Sequence, residues 1–320
     1  MVQHLAVGAE NENVVLKRGS LSLTLLPHLG GKIASIRVAG RELLQAPLVP
    51  YGSRTRTMAF DEADASGWDE CLPSVAACKV QLADGTRAEI PDHGDIWRVQ
   101  WQSAGASEGT LRAECFSLPL ELVRSLAVSE IEAGWELRLN YAVTNTGKED
   151  VPWSWAAHPL FAAEAGDRIV LPGSISSLRL EGSGGNRLGK GGDTVSWPIA
   201  ALAAGGETDL SLTQSIDSGI GDKLFAGPLS NGENWAILDR PSAGLRIRVG
   251  FDPAATPYLG LWICYGGWPD RPGAKQACVA LEPCTAPVDS LALAGPWSRI
   301  LAAGESFRWP MTVEIQAREV

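Results

Sequence analysis

One acid and one imidazole stand out in the sequence because each lies next to apolar residues and immediately before a proline. Glu282 follows the apolar run 278–281, and His158 lies among large apolar neighbours. Proline pushes the preceding residue out of the α conformation, and sheets tolerate it mainly at edges, strand starts and bulges. The pattern therefore predicts that both side chains lie where a buried strand ends.

A carboxylate and an imidazole that face one reacting group can act as general base and general acid. Imidazole has a reference pKa of ~6.5, so His158 could donate a proton near neutral pH while ionised Glu282 accepts one. Attraction between opposite charges would favour both charged forms. The pair suits a reaction that removes a proton from one oxygen and adds one at a neighbouring atom. A hydrogen-bonded core histidine is the other interpretation of His158.

Composition excludes several classes of partner. The 320 residues carry a formal net charge of −10 and no run of Lys and Arg, which argues against nucleic acid or an anionic membrane surface. No apolar run approaches the ~20 residues of a membrane span. The N-terminal stretch lacks the pattern of a secretory signal, and the six cysteines have neither CxxC spacing nor a zinc pattern. We expect reduced thiols, a cytoplasmic location and no metal or other cofactor.

Alternating apolar and polar residues recur along the chain. In 135–143, five apolar side chains share one face, and this period of two predicts half-buried antiparallel strands. Turn-forming clusters such as 145–150 separate the runs, and the glycine-rich stretch 181–193 is predicted to be an exposed loop. We predict an all-β sandwich with little helix, formed by residues 1–320 as a single domain. Other alternating runs are 21–25, 32–38, 122–128 and 245–251.

Several further residues are candidates for ligand binding. His93 lies in a turn between two aspartates, whereas His4 and His28 are read as ordinary surface residues. Trp262 lies on the run before Glu282, where an indole could form the floor of a cleft or pack in the core.

The order of several motifs along the chain resembles the aldose 1-epimerase, or galactose mutarotase-like, family. The motifs are GGKIASIRVAGRELL, PDHGDIW, AAHPLF, DKLFAG and LEPCTAP. The resemblance implies a single β-supersandwich domain of large antiparallel sheets and an isomerase that interconverts the α and β anomers of an aldose. It implies that Glu282 removes the proton of the O1 hydroxyl and that His158 protonates the ring oxygen. It further implies that His93 and Asp222 bind the sugar.

The sequence departs from the family pattern ahead of the first histidine motif, where an Asn-Arg pair is expected. Asp69 and Glu70 could replace those residues as acceptors for sugar hydroxyls, or could belong to a solvated acidic loop. A carbohydrate-binding or sugar-sensing protein without turnover is therefore an alternative, and a lyase or glycosidase is another. The sequence leaves the oligomeric state and a phosphate on the sugar open; cations that could bind such a phosphate are Arg54, Arg56 and Lys79.

Overall fold

The computed structural model describes residues 13–105 and 107–318, so His4 and most of the N-terminal stretch lie outside the described residues. The strands up to the middle of the chain are β1 (Val14–Arg18), β2 (Leu21–Leu26), β3 (Lys32–Val38), β4 (Arg41–Glu42), β5 (Trp68–Cys71), β6 (Cys78–Gln81), β7 (Arg87–Ile90), β8 (Gln102–Ser103), β9 (Thr110–Glu114), β10 (Leu120–Ile131), β11 (Gly134–Asn145), β12 (Val151–Trp153) and β13 (Ala156–Ala162). The remaining strands are β14 (Arg168–Val170), β15 (Ser177–Ser183), β16 (Thr194–Ser196), β17 (Ile199–Ala201), β18 (Glu207–Asp209), β19 (Ile220–Ala226), β20 (Trp235–Arg240), β21 (Leu245–Phe251), β22 (Tyr258–Tyr265), β23 (Ala277–Cys284), β24 (Arg299–Leu301) and β25 (Ser306–Ala317).

Short 3₁₀ helices punctuate the strands, and no helix in the described part of the chain reaches seven residues. This confirms the prediction of a β fold with little helix. The 3₁₀ helices span Phe60–Glu62, Ile96–Arg98, Gly184–Asn186, Ile216–Ser218, Pro241–Ala243, Leu291–Leu293 and Gly295–Trp297.

Two antiparallel sheets make up most of the fold. The large sheet has eleven strands in the order β1-β2-β3-β5-β13-β23-β22-β19-β15-β16, with β4 paired to β3. The small sheet has eight strands in the order β14-β20-β21-β25-β11-β10-β9-β8. Strands β13, β23, β22 and β19 are neighbours in the middle of the large sheet, so residues distant in sequence meet there.

The core lies between the two sheets and follows from the period-two pattern. In β11, Leu137, Leu139, Tyr141 and Val143 are buried, whereas the polar residues between them point away. Each fully buried aliphatic side chain contributes roughly 1.5–3 kcal/mol. A one-residue shift in strand pairing would expose this whole face. One contiguous apolar cluster includes residues of both sheets.

The two X-Pro pairs lie inside strands, so the prediction that Glu282 and His158 lie at strand ends was wrong. Strand β23 continues past Glu282 to Cys284, and β13 continues past His158 to Ala162. The two strands pair at Ala156–Cys284 and again at Leu160–Ala280, with no register pair between these points. The prolines fall in this gap, where the ladder does not require their missing N–H groups.

No helix in the part of the chain that the structure describes is both long and apolar enough to cross a lipid bilayer. All six cysteines lie among the described residues and are free thiols.

Candidate active site

A cleft of about 210 Å³ opens on the face of the large sheet that points away from the core. Its polar lining includes two histidines, two aspartates and a lysine, and its apolar lining includes two tryptophans. The lining residues are Phe60, Val75, Ala76, Asp92, His93, His158, Lys223, Trp262, Trp268, Gln276 and Asp289. A cleft this small suits a ligand the size of a single sugar ring better than a polymer.

The pairing of β19, β22 and β23 places the central side chains of the cleft on one face. Glu282 lies opposite Gly260, and Lys223 lies opposite Trp262. Because side chains alternate along each strand, Glu282, Trp262 and Lys223 project to the same side of the sheet. Gly260 leaves room for the acid: a β-carbon at this position would lie 2.8 Å from Glu282 Oε2.

Glu282 and His158 lie next to each other: His158 lines the cleft, and Glu282 is buried behind this lining. Glu282 Oε1 lies 3.7 Å from His158 Nε2, and their side chains are 1% and 7% exposed. Oε1 and His158 Nδ1 have no hydrogen-bond partner, whereas Oε2 accepts a hydrogen bond from Lys223 Nζ. The carboxylate therefore has one oxygen held by the protein and one available beside the imidazole.

Lys223 is one of the cleft residues that sequence reasoning missed, together with Phe60, Gln276 and Asp289. Burial alone would lower the pKa of Lys223, but the carboxylates of Asp289 and Glu282 raise it above its ordinary value. Burial raises the pKa of Glu282, and the Lys223 ammonium opposes that rise. Lys223 is therefore protonated and forms an ion pair with Glu282. The DKLF motif contains both Asp222 and Lys223. These residues are adjacent in a strand, so only one of them can face the cleft.

Burial favours the neutral form of His158 in the free protein. Burial lowers the pKa of His158 well below its ordinary value of 6.5, and the charges of His93, Lys223 and Lys32 act in the same direction. The expectation that attraction to Glu282 keeps His158 charged was therefore wrong. Lys223 is the cation paired with Glu282, and desolvation disfavours a second cation beside it.

His93 lies across the cleft from the strands, on the turn before the 3₁₀ helix Ile96–Arg98. Its ring stacks on Phe60 with centroids 4.0 Å apart and lies 5.2 Å from the ring of His158. Its Nδ1 lies 3.0 Å from Asp92 Oδ1. The backbone of His93 has a φ of 57°, an uncommon left-handed conformation that histidine tolerates better than most residues. The turn thereby brings the second imidazole close to the first.

Trp262 forms part of the cleft wall. Its Nε1 donates to Gln276 Oε1 at 2.9 Å, and Gln276 Nε2 donates to the carbonyl of Ala65 at the same distance. This chain of hydrogen bonds restrains the indole, which lines the cleft. Trp268 lines the cleft as well. Flat apolar faces of this kind suit the C–H face of a sugar ring.

Asp222 lies on the other side of the large sheet from the cleft. Its side chain is fully buried and accepts hydrogen bonds from Ser183 and Arg187. The resemblance implied that Asp222 binds the sugar, but the structure does not bring it to the cleft, because its neighbour Lys223 occupies that face. Arg187 comes from the glycine-rich stretch 181–193, which is anchored to the sheet at this point rather than wholly exposed.

Asp69 lies on the same face as His158, its partner in the pairing of β5 with β13. It is buried in a cluster with Lys32, Arg54 and Asp64. Lys32 Nζ lies 2.5 Å from Asp69 and 3.0 Å from Asp64, and Arg54 lies 3.3 and 2.5 Å from the same two acids. Asp69 does not line the cleft, because its carboxylate is occupied by these cations.

Glu70 points in the opposite direction, into the core between the sheets. It accepts hydrogen bonds from Arg124 at 3.1 Å, Tyr141 at 2.9 Å and Trp155 at 3.1 Å. Burial, opposed by Arg124, raises the pKa of Glu70 to about 7. The expectation that Glu70 contacts a sugar is therefore not met. Side chains alternate along β5, so Asp69 lies on the outer face of the sheet and Glu70 on the core face.

The cations considered for phosphate binding lie elsewhere. Arg54 is occupied within the buried cluster, and Lys79 pairs with Glu89 on the hairpin β6–β7. Arg56 lies over the ring of Phe116 at 4.7 Å. Among the residues that the structure describes, Lys223 is the lysine or arginine that lines the cleft. The same residues contain no group of three or more His, Cys, Asp or Glu side chains arranged to hold a metal ion.

Comparison with solved structures identifies the fold. The Slr1438 protein of Synechocystis sp. PCC 6803 matches with a TM-score of 0.69 and 19% identity, over 98% of this chain and 100% of that one. A galactose mutarotase-like protein from Lactobacillus casei matches with a TM-score of 0.66 and 16% identity, over 95% and 100%. The GalM/aldose epimerase homologue from C. elegans matches with a TM-score of 0.62 and 11% identity, over 97% and 100%.

Searches by sequence add no further relative. No protein-family model matches the chain, and no curated protein matches it. The structural likeness extends over nearly the whole chain and over the full length of these three structures, at identities that indicate a shared fold. The chain has the galactose mutarotase-like fold.

Proposed function

We propose that the cleft binds one aldose ring and interconverts its α and β anomers. The observation that carries this proposal is the unpaired Oε1 of buried Glu282, 3.7 Å from Nε2 of His158, which lines a cleft of about 210 Å³. The apolar face of Trp262 offers a platform for the ring. Structures of the same fold carry names that refer to galactose mutarotase and aldose epimerase.

The proposed reaction needs one base and one acid. Glu282 Oε1 takes the proton of the O1 hydroxyl, and the electron pair left on O1 forms the C1=O double bond of the aldehyde. The C1–O bond of the ring breaks, and its electron pair goes to the ring oxygen, which takes a proton from the acid. Rotation about C1–C2 and the reverse proton transfers close the ring on either face of C1.

The acid in this scheme is the imidazolium form of His158. A neutral imidazole cannot supply the proton without forming an imidazolate, so the reactive protein has His158 protonated and Glu282 ionised. The lowered pKa of His158 makes this a minor form at neutral pH. His93, whose ring lies 5.2 Å from that of His158, is the second imidazole that can hydrogen-bond the sugar.

Sugar binding without turnover is the second candidate. Two features favour it: Lys223 already holds one oxygen of Glu282, and burial lowers the pKa of His158 well below its ordinary value. Such a protein would bind an aldose in calorimetry and would not accelerate its mutarotation.

Polarimetry on freshly dissolved α-anomers of glucose, galactose and other aldoses tests the proposal. We expect faster equilibration than in buffer for at least one sugar. Glu282→Gln should lower kcat by about three orders of magnitude or more, since general base catalysis and positioning are lost together. Glu207→Gln, an exposed acid on β18, is the matched control and should retain the wild-type rate. A Glu282→Gln variant with near wild-type kcat would place the base elsewhere.

A further inference from the structure

We propose that Lys223 is the positioning residue for Glu282, holding Oε2 so that ionised Oε1 faces His158. This inference rests on the proposed function, because it assigns a role within that reaction. Lys223 would keep the Glu282 carboxylate available as a base at a position where burial disfavours its charge.

The ammonium of Lys223 is fixed from two sides. Its Nζ donates to Glu282 Oε2 and lies 3.6 Å from Asp289 Oδ1. The side chain is 10% exposed, and its Nζ lies 5.4 Å from the ring of Phe225. A lysine normally moves freely on a long stem, but here two carboxylates and the packed sheet restrict it. The contact with Oε2 is therefore a stable part of the site.

Charge explains why such a contact is needed. An ionised carboxylate that is 1% exposed is costly unless it is paired and hydrogen-bonded. Among the described residues that face Glu282, Lys223 is the cation in hydrogen-bond contact, because His158 is neutral. The titratable or charged groups around Glu282 are His93, His158, Lys223, Asp289, Cys71, Cys278 and Cys284.

Geometry explains why one oxygen acts and the other does not. With Oε2 occupied by Lys223, the carboxylate presents Oε1 alone toward His158. Gly260 fits against the Oε2 side with no β-carbon, so the carboxylate can lie close to β22. Without the ammonium, either oxygen could turn toward the cleft, and burial would favour the protonated acid.

The test compares wild type with Lys223→Met and Lys223→Arg. The pKa of Glu282 is read from the ¹³C signal of its carboxyl carbon, assigned by its absence in Glu282→Gln. We expect Lys223→Met to raise this pKa by about one to three units, the usual effect of one nearby opposite charge. The pH profile of kcat/KM for mutarotation should move to higher pH, because removal of the ammonium raises the pKa of Glu282 and, to a lesser extent, that of His158. Lys223→Arg, which keeps the charge, should restore the wild-type pKa and profile.

Each outcome bears on one of the two proposals. An unchanged pKa of Glu282 in Lys223→Met overturns the role of Lys223, whatever the activity. A wild-type protein that does not catalyse mutarotation overturns the proposed function, whereas the titration still decides whether Lys223 holds Glu282 ionised. If Lys223→Met does not fold, Lys223→Gln gives the same charge test, because the amide keeps a hydrogen-bond donor without the charge. A Lys223→Gln variant with a wild-type pKa for Glu282 would equally refute the inference.

Discussion

The pH dependence of mutarotation offers a sharp test of the acid assigned to the cleft. In the free protein the imidazolium of His158 is disfavoured first by burial and then by the charges of His93, Lys223 and Lys32. Its population falls as pH rises through the lowered pKa of His158. Glu282 acts in the opposite sense, since its carboxylate appears as pH rises through a pKa that burial raises. The reactive form is therefore most abundant on the acid side of pH 6.5.

The magnitude follows from the fraction of imidazolium. With Glu282 kept ionised by Lys223, this fraction falls tenfold for each pH unit above the pKa of His158, so kcat/KM should fall about 100-fold between pH 6.5 and 8.5. The ratio kcat/KM is the appropriate quantity, because it reports the pKa values of the free enzyme. Polarimetry from pH 5 to 8.5, corrected for the buffer-catalysed rate at each pH, gives the profile.

A matched variant locates the titrating group. The charge of His93 lowers the pKa of His158, so His93→Gln should move the falling limb of the profile to higher pH, whatever its effect on the absolute rate. A wild-type kcat/KM that is constant or rises from pH 6.5 to 8.5 would refute His158 as the proton donor. A falling limb that stays in place in His93→Gln would refute the electrostatic explanation of its position.

Two further predictions concern the ligand and the core. Glucose 6-phosphate should have a kcat/KM about tenfold or more below that of glucose. Asp92 and Asp289 line the cleft, and Lys223 is already paired with carboxylates, so a phosphate would meet negative charge there. Equal kcat/KM values for the two sugars would contradict this view of the cleft. Arg124→Met should lower the free energy of unfolding by about 3–5 kcal/mol at pH 8, since it leaves Glu70 buried without its cation. At pH 5 the loss of unfolding free energy should be smaller, because the pKa of Glu70 is about 7 and this acid is neutral there. Urea unfolding of wild type and Arg124→Met at the two pH values measures both losses. A loss that does not depend on pH would refute the argument.

Much of the fold could be predicted from the sequence because it depends on local alternation. In β11 and β2 the period of two specifies which side chains are buried, and the structure buries those side chains except Trp135, which is partly buried. The order of the motifs indicated the mutarotase-like fold, and the structural comparison bears this out. These inferences need only residues that are close together in the chain.

The cleft itself depended on how strands pair across long sequence separations. The sequence singled out Glu282 and His158, but the interrupted ladder between β13 and β23 decided that both lie inside strands. Alternation alone allows either face of a strand to point outward; pairing of β19 with β22 turned Lys223 to the cleft and Asp222 away from it. Burial then determined the protonation of His158, because desolvation depends on every neighbour that excludes water and not on the residues beside it in the sequence.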